Sequence, residues 1–348
     1  MSNMTNIIEY NTENYIRYLD INKVRWFVND CTIWQLSSVI RQKLNVVKLS
    51  FNDKFCQSID LLLHLENLEE LIFGMGFNKN IDKLQNLKKL KSLTFGFFFK
   101  QKIDIVQYLP NLEKLKFGNS FNNNIEPLKY AENLKILIFG YGFNNSIKVL
   151  KKLINLQILE FGLLFNRSVL PLKNLTCLIK LTFGNCFNPY DGIGGLSGLS
   201  NLEILNFGFF FNQDIDSIQY LTKLRRLKFG GNFNKSIKPL EKLVNLESLT
   251  FDKFSKFNKS IKSLENLVKL KELIFGDYSE FNRSIDSLKL LPKLELIVFN
   301  GEFNQKLDIF KDLPSERTLM LKFGIHSKFN NNFLHLPCHI TICLSIVL

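Results

Sequence analysis

The residues best suited to chemistry are few and scattered. Four histidines (His64, His326, His335, His339) and six cysteines (Cys31, Cys56, Cys177, Cys186, Cys338, Cys343) are distributed over 348 residues. Catalysis needs titratable groups that converge, and no histidine accompanies a serine elbow, a recurring acid or a metal motif. The densest group is His335, Cys338, His339 and Cys343, two imidazoles and two thiols of the kind that ligate zinc. Its spacing matches no standard zinc framework, and Ile340, Ile342 and Leu344 alternate there as a closing edge strand, with His339 and Cys343 on one face. The glycine-rich stretch Pro189-Tyr190-Asp191-Gly192-Ile193-Gly194-Gly195 lacks the Gly-Lys-Ser/Thr ending of a phosphate loop and reads as a turn. The cysteines follow no disulfide framework, which fits reduced thiols in an intracellular, cytoplasmic compartment rather than disulfides of an exported protein. The expectation is a non-enzyme with no cofactor and no metal.

The element that must position every other group is a repeat. Leu137-Ile138-Phe139-Gly140-Tyr141-Gly142-Phe143-Asn144-Asn145-Ser146-Ile147 reads Leu-x-Phe-Gly-x-x-Phe-Asn-x-x-Ile. Thirteen copies begin at Leu49, Leu71, Leu93, Leu115, Leu137, Leu159, Leu181, Leu205, Leu227, Leu249, Leu273, Ile297 and Leu321, 22 or 24 residues apart. A fixed period of this size marks a solenoid, because one unit cannot bury its own apolar face and must stack on its neighbours. Leu137 and Phe139 alternate with Ile138 and Gly140, which predicts a short strand. Ile147, Leu150, Leu153 and Leu156 then recur every third residue, a spacing that suits 3₁₀ turns and drifts off the register of an α-helix. The sequence therefore predicts a leucine-rich-repeat-like solenoid, one parallel strand per repeat with a tight return, forming one elongated or curved body about 60 Å long.

Two positions invite a structural explanation. The fourth is glycine in ten copies, replaced by Asn52, Asp252 and Asn300, which suggests a bulge or left-handed turn where φ is positive. The eighth is Asn78, Asn122, Asn144, Asn166, Asn188, Asn212, Asn234, Asn258, Asn282, Asn304 and Asn330. Stacked once per turn and buried, these side chains would bond the backbone of successive turns as a structural ladder. Burial would also make the sequons at Asn144, Asn166 and Asn258 false glycosylation signals.

The combination of Leu-x-Phe-Gly with Phe-Asn-x-x-Ile over residues 49–333 resembles the FNIP repeat, a leucine-rich-repeat relative common in amoebae and large DNA viruses. Many proteins of that family carry an F-box before the repeats, and the resemblance implies a protein-binding scaffold, with an adaptor role in ubiquitin ligation as a further possibility. No F-box is recognisable here: the segment before Val24 is too short and polar for such a helical module.

The organisation expected is an N-terminal cap over residues 1–48, a decayed repeat that covers the first sheet edge, the array over 49–333, and a capping strand over 334–348. The third and seventh positions account for 26 of the 34 phenylalanines, so the aromatic content is mainly packing. A net charge of +13 raises the question of nucleic acid. Lys114, Lys116, Lys180, Arg225, Arg226 and Lys228 would track a phosphate backbone, although the lysines fall mostly at variable surface positions. No apolar run nears the 18 residues needed to cross a membrane and no secretory leader is evident.

Candidate partner-binding residues lie where the fifth and sixth positions turn apolar: Phe97, Phe98, Tyr141, Leu163, Leu164, Phe209 and Phe210. The alternative for these is a longer strand with some side chains packed inward. Two-residue insertions between the Gly/Asp position and the second Phe add Phe254 and Tyr278 on the same edge, and the copy at Leu321 repeats the insertion with Ile325-His326-Ser327-Lys328. Loops that grow on one face of a solenoid often form its contact surface. The sequence thus predicts a monomeric, non-catalytic scaffold that binds an unidentified protein through its strand face and adjoining loops. Strand-face candidates are Ile136, Ile138, Ile158, Glu160, Lys180, Thr182, Arg226 and Lys228.

Overall fold

The computed structural model describes residues 17–20, 23–28, 46–324, 326–330 and 336–344. It divides into two compact units, Met1–Phe165 and Asn166–Leu348. In the first unit the strands are β1 (Arg17–Asp20), β2 (Lys23–Val28), β3 (Val46–Phe51), β4 (Glu70–Ile72), β5 (Ser92–Thr94), β6 (Lys114–Lys116), β7 (Ile136–Ile138) and β8 (Ile158–Glu160). β1 pairs antiparallel with β2, and each later strand pairs parallel with the one before it. The second unit repeats the parallel arrangement with β9 (Lys180–Thr182), β10 (Ile204–Asn206), β11 (Arg226–Phe229), β12 (Ser248–Phe251), β13 (Glu272–Phe275), β14 (Leu296–Phe299), β15 (Leu319–Phe323) and β16 (Ile340–Leu344). Register is set by the first leucine of each copy: Leu115 faces Leu93 on one side and Leu137 on the other. A slip of one residue would turn every such leucine to solvent.

The return segment is a chain of 3₁₀ turns. The Leu150 N–H donates to Ile147 O at 2.9 Å, Leu153 to Leu150 at 2.9 Å and Leu156 to Leu153 at 3.0 Å. In this geometry residues three apart eclipse one another. The every-third apolar pattern therefore becomes one inward stripe, and Ile147, Leu150, Leu153 and Leu156 are all buried. Burying each such side chain contributes roughly 1.5–3 kcal/mol.

The other half of the core is a double column of phenylalanines. Within a turn Phe139 stacks on Phe143 at 3.8 Å between centroids. Between turns Phe139 stacks on Phe161 at 5.6 Å and Phe143 on Phe165 at 6.2 Å. The same geometry recurs in the second unit, where Phe229 lies 3.9 Å from Phe233 and 5.7 Å from Phe251.

Two expectations are corrected. The fourth-position glycines do not have positive φ; among described residues that conformation occurs at Gly192, Gly301, Phe254 and Tyr278. Their requirement is space. A Cβ on Gly140 would stand 2.2 Å from Gly118 O, and one on Gly118 would stand 1.7 Å from Gly96 O. Each turn thus lies directly on the carbonyl of the turn before it. The eighth-position asparagines are half-buried or exposed, not buried. The preceding Phe occupies the inward place, which leaves the amide at the flank, so burial does not shield the sequons. The zinc question at the C-terminus falls partly outside the described residues, which omit His335; among those described, no group of three or more His, Cys, Asp or Glu is placed to hold a metal.

Candidate interaction surface

The strands end at the second or third position of each repeat, so the fifth- and sixth-position side chains leave the sheet at its C-terminal edge. In the first unit Phe97, Phe98, Tyr141 and Leu164 are 42%, 53%, 50% and 41% exposed, and Leu163 is half-buried. Met75, in the preceding copy and absent from the sequence-based candidates, is exposed beside them in the array. The turn backbones that carry them are tied by bonds from one turn to the next: Phe98 N–H to Met75 O at 3.0 Å, Ser120 to Phe97 at 2.9 Å, Gly142 to Asn119 at 2.8 Å and Leu164 to Tyr141 at 3.0 Å. Phe97 and Phe98 meet edge to face at 4.8 Å. The exposed rings therefore stand on a fixed frame, and inward packing does not describe them.

In the second unit Phe209 and Phe210 are also arranged edge to face, at 5.2 Å. They divide the work: Phe210 is exposed, while Phe209 is half-buried and covers Gly231, whose Cβ would meet the ring at 2.4 Å. The lengthened loops build a separate stack. Phe254 and Tyr278 lie 5.1 Å apart with rings parallel within 2°, and His326 continues the stack at 4.1 Å from Tyr278. The Tyr278 hydroxyl and His326 Nε2 are 2.8 Å apart. Phe254 and Tyr278 reach this arrangement at φ 58° and 57°, a conformation that costs a residue with a side chain roughly 1–2 kcal/mol. The serines that follow are fully buried, and their Oγ atoms accept the N–H groups of Phe257 and Phe281. His326 was not among the sequence-based candidates, although the insertion shared by three copies pointed to its position.

Along the opposite flank of the second Phe, eighth-position asparagines bond the next turn. Asn122 Oδ1 accepts the N–H of Asn144 at 2.8 Å. In the second unit Asn166, Asn188, Asn212, Asn234, Asn258, Asn282 and Asn304 each accept from the corresponding residue of the following turn. Asn78 does so for Lys100, which stands where its own copy lacks asparagine. A second set goes unmentioned in any motif: Asn111, Asn133, Asn155, Asn201 and Asn245 donate Nδ2 to a carbonyl of the turn before, at 2.7 to 2.9 Å. The recurring Asn-Leu dipeptide was its signal.

Charge is also ordered along the turns. Lys91 pairs with Glu69 at 3.0 Å and Lys135 with Glu113 at 3.1 Å in the first unit; Arg225 and Lys271 both reach Glu247 in the second. The hydrogen bond from Arg225 holds the Glu247 carboxyl below the usual carboxylate range, and the Arg225 guanidinium is raised by the same contact. Of the cations considered for a phosphate track, Lys228 pairs with Asp252 at 2.9 Å. The strand-face residues Ile136, Ile138, Ile158, Glu160, Lys180, Thr182 and Lys228 are half-buried and Arg226 is exposed. Elsewhere, burial lowers the Arg317 guanidinium from its ordinary value.

One parallel strand per repeat, 3₁₀ returns and a leucine and phenylalanine core define a leucine-rich-repeat solenoid. Solved structures agree with that class. An internalin from Listeria monocytogenes, inlF, superposes with a TM-score of 0.72 at 23% identity, over 88% of this chain and 92% of its own. CroV588, described as a circular leucine-rich-repeat protein, superposes at 0.67 with 27% identity over 96% of this chain. The match spans about half of the CroV588 chain, 51%. A leucine-rich-repeat protein of Leptospira interrogans superposes at 0.56 with 16% identity, over 80% of this chain and 84% of that one. No family model matches the sequence, and no curated protein matches it. No described helix is long and apolar enough to cross a membrane.

Proposed function

We propose that this chain is a monomeric, intracellular FNIP-type interaction scaffold that binds a protein through the C-terminal edge of its strands and the adjoining loops. The observation that carries the reading is the exposed apolar series Met75, Phe97, Phe98, Tyr141 and Leu164 in the first unit. Contiguous exposed apolar side chains on a polar protein mark contact surfaces. The turn-to-turn bonds hold these side chains before a partner arrives, so little ordering entropy is lost on binding. A phosphate track is less well supported, because Arg225 and Lys228 are each engaged by an acid.

Affinity capture from a nuclease-treated eukaryotic extract tests the reading, with Phe98→Ser plus Phe210→Ser as the control. A protein retained by the wild type through a high-salt wash and lost with the folded double variant supports it. Retention of nucleic acid alone, released by salt, overturns it. Ubiquitin-ligase subunits among retained proteins would assign the adaptor role that the FNIP resemblance suggests.

A further inference from the structure

The apolar edge of the first unit is interrupted by a groove of ≈ 480 Å³. It exists because the fifth position alternates in size: Phe97 and Tyr141 stand as walls and Asn119 lies between them, with the small Ser120 following Asn119 and Gly142 following Tyr141 in the chain. Two turns separate the walls, roughly 10 Å of backbone at the usual strand spacing, which leaves the thickness of one further side chain between them. The floor is backbone at Gly118 and Gly140, where no Cβ is possible, together with Ile138. A site of this form takes an apolar or aromatic side chain edge-on between two rings.

Two side-chain nitrogens of the groove, on Lys116 and Asn119, are donors. Lys116 lines the groove, and neither it nor Lys114 on the same strand forms an ion pair with a described residue. This contrasts with Lys48, Lys91 and Lys135 of the same unit, each held by a glutamate. Asn119 uses its Oδ1 to accept the Tyr141 N–H at 3.2 Å, and its Nδ2 donates to no described residue. No carboxylate lines the groove. The donors therefore ask for an anionic acceptor adjacent to the inserted apolar group.

Resting on the scaffold reading above, we infer that this groove binds an extended acidic peptide segment of a partner protein, with one aromatic or large aliphatic side chain seated between Phe97 and Tyr141 and a neighbouring carboxylate on Lys116 and Asn119. A nucleic-acid strand fits less well. It needs successive cations along its path, whereas the strand-face positions beyond Lys116 are Ile138 and Glu160 in this unit.

The test is selection of a phage-displayed random dodecapeptide library on the immobilised full chain, followed by binding of the synthesised consensus peptide in solution. The expected consensus is an aromatic or Leu residue beside Asp or Glu. Lys116→Glu should weaken that peptide about tenfold or more, as for loss of a close charge pair. Asn119→Trp, which fills the gap, should abolish binding, while the same variants keep the wild-type circular dichroism spectrum. An enriched consensus without acids, no enriched sequence, an affinity unmoved by both substitutions, or displacement of the peptide by a short oligo-dT strand would overturn the inference. Failure here is separable from failure of the scaffold reading. A captured protein kept by Lys116→Glu and Asn119→Trp but lost with Phe98→Ser plus Phe210→Ser removes the groove and retains the scaffold. Neither peptide nor protein retained removes both.

Discussion

Replacing Gly140 by alanine separates two explanations of the glycine-rich fourth position by the sign of the effect. If glycine were there only for its freedom, alanine at an ordinary φ would stabilise the protein by about 0.4–1 kcal/mol, because it removes entropy from the unfolded chain. The structure predicts the opposite. The added Cβ stands 2.2 Å from Gly118 O and 2.4 Å from Gly118 C, so the turns must separate by about 1 Å to restore normal contact. That movement strains the Gly142 N–H to Asn119 O bond and the Tyr141 N–H to Asn119 Oδ1 bond. Overpacking of this kind costs about 1–3 kcal/mol, and a weakened hydrogen bond adds about 1 kcal/mol. The expected destabilisation is therefore about 3 kcal/mol, read as a lower midpoint in urea denaturation followed by circular dichroism. Two controls bracket it. Ile138→Val, half-buried on the strand face, should cost under about 1 kcal/mol. Gly192→Ala meets nothing within 4 Å but has φ +70°, so it should cost about 1–2 kcal/mol from conformation alone. A Gly140→Ala protein as stable as the wild type, or more so, would refute the close-contact explanation.

Three further outcomes are expected. Asn188→Ala removes the acceptor used by the Asn212 N–H and Gln213 Nε2 and should cost about 1–2 kcal/mol, whereas Asn188→Asp keeps the oxygen and should cost less than half of that; equal losses in denaturant would contradict the bonding role. Glu247 has a carboxyl held below its ordinary range by Arg225, so its stabilisation is present above the unfolded-state pKa and disappears as pH falls through the folded one. Stability measured from about pH 6 to pH 3 should therefore decline less steeply for Glu247→Gln than for the wild type, and parallel curves would count against the linkage. Phe254→Gly relieves a positive φ but removes an exposed ring stack on Tyr278; the two effects are each about 1 kcal/mol and oppose, so thermal denaturation should show a near-neutral change, with a large loss indicating that the ring is a core group.

What could be read from the sequence was what repeats in one dimension. The Leu-x-Phe alternation and the three-residue spacing from Ile147 to Leu156 specify strand and 3₁₀ return because each pattern has a period that one backbone geometry satisfies. What was not legible lies between turns. Glycine at position 140 suggests a conformation, yet its reason is the carbonyl of Gly118, 22 residues earlier. Asn144 suggests a buried amide, yet the ring of Phe143 already fills the interior. Lys91 and Glu69 look like scattered charges until stacking brings them within 3.0 Å. Among the candidate surface residues, Phe97 is exposed and Phe209 half-buried although each is the first ring of a Phe-Phe pair, and it is Phe209 that has Gly231 beneath its ring.

The paired phenylalanine column has a consequence for how such a chain can change length. Each pair makes the same contacts with the pair above and below, so a whole turn can be duplicated or deleted and the joint closes on rings already shaped for it. Smaller changes have no such freedom. The two-residue additions fall between the fourth and seventh positions, after Asn188, or after Leu313, and none falls within the Leu-x-Phe segment of a strand. Growth by entire units and ornament at the margins are the two edits this architecture accepts, and the second supplies the aromatic loops of Phe254, Tyr278 and His326.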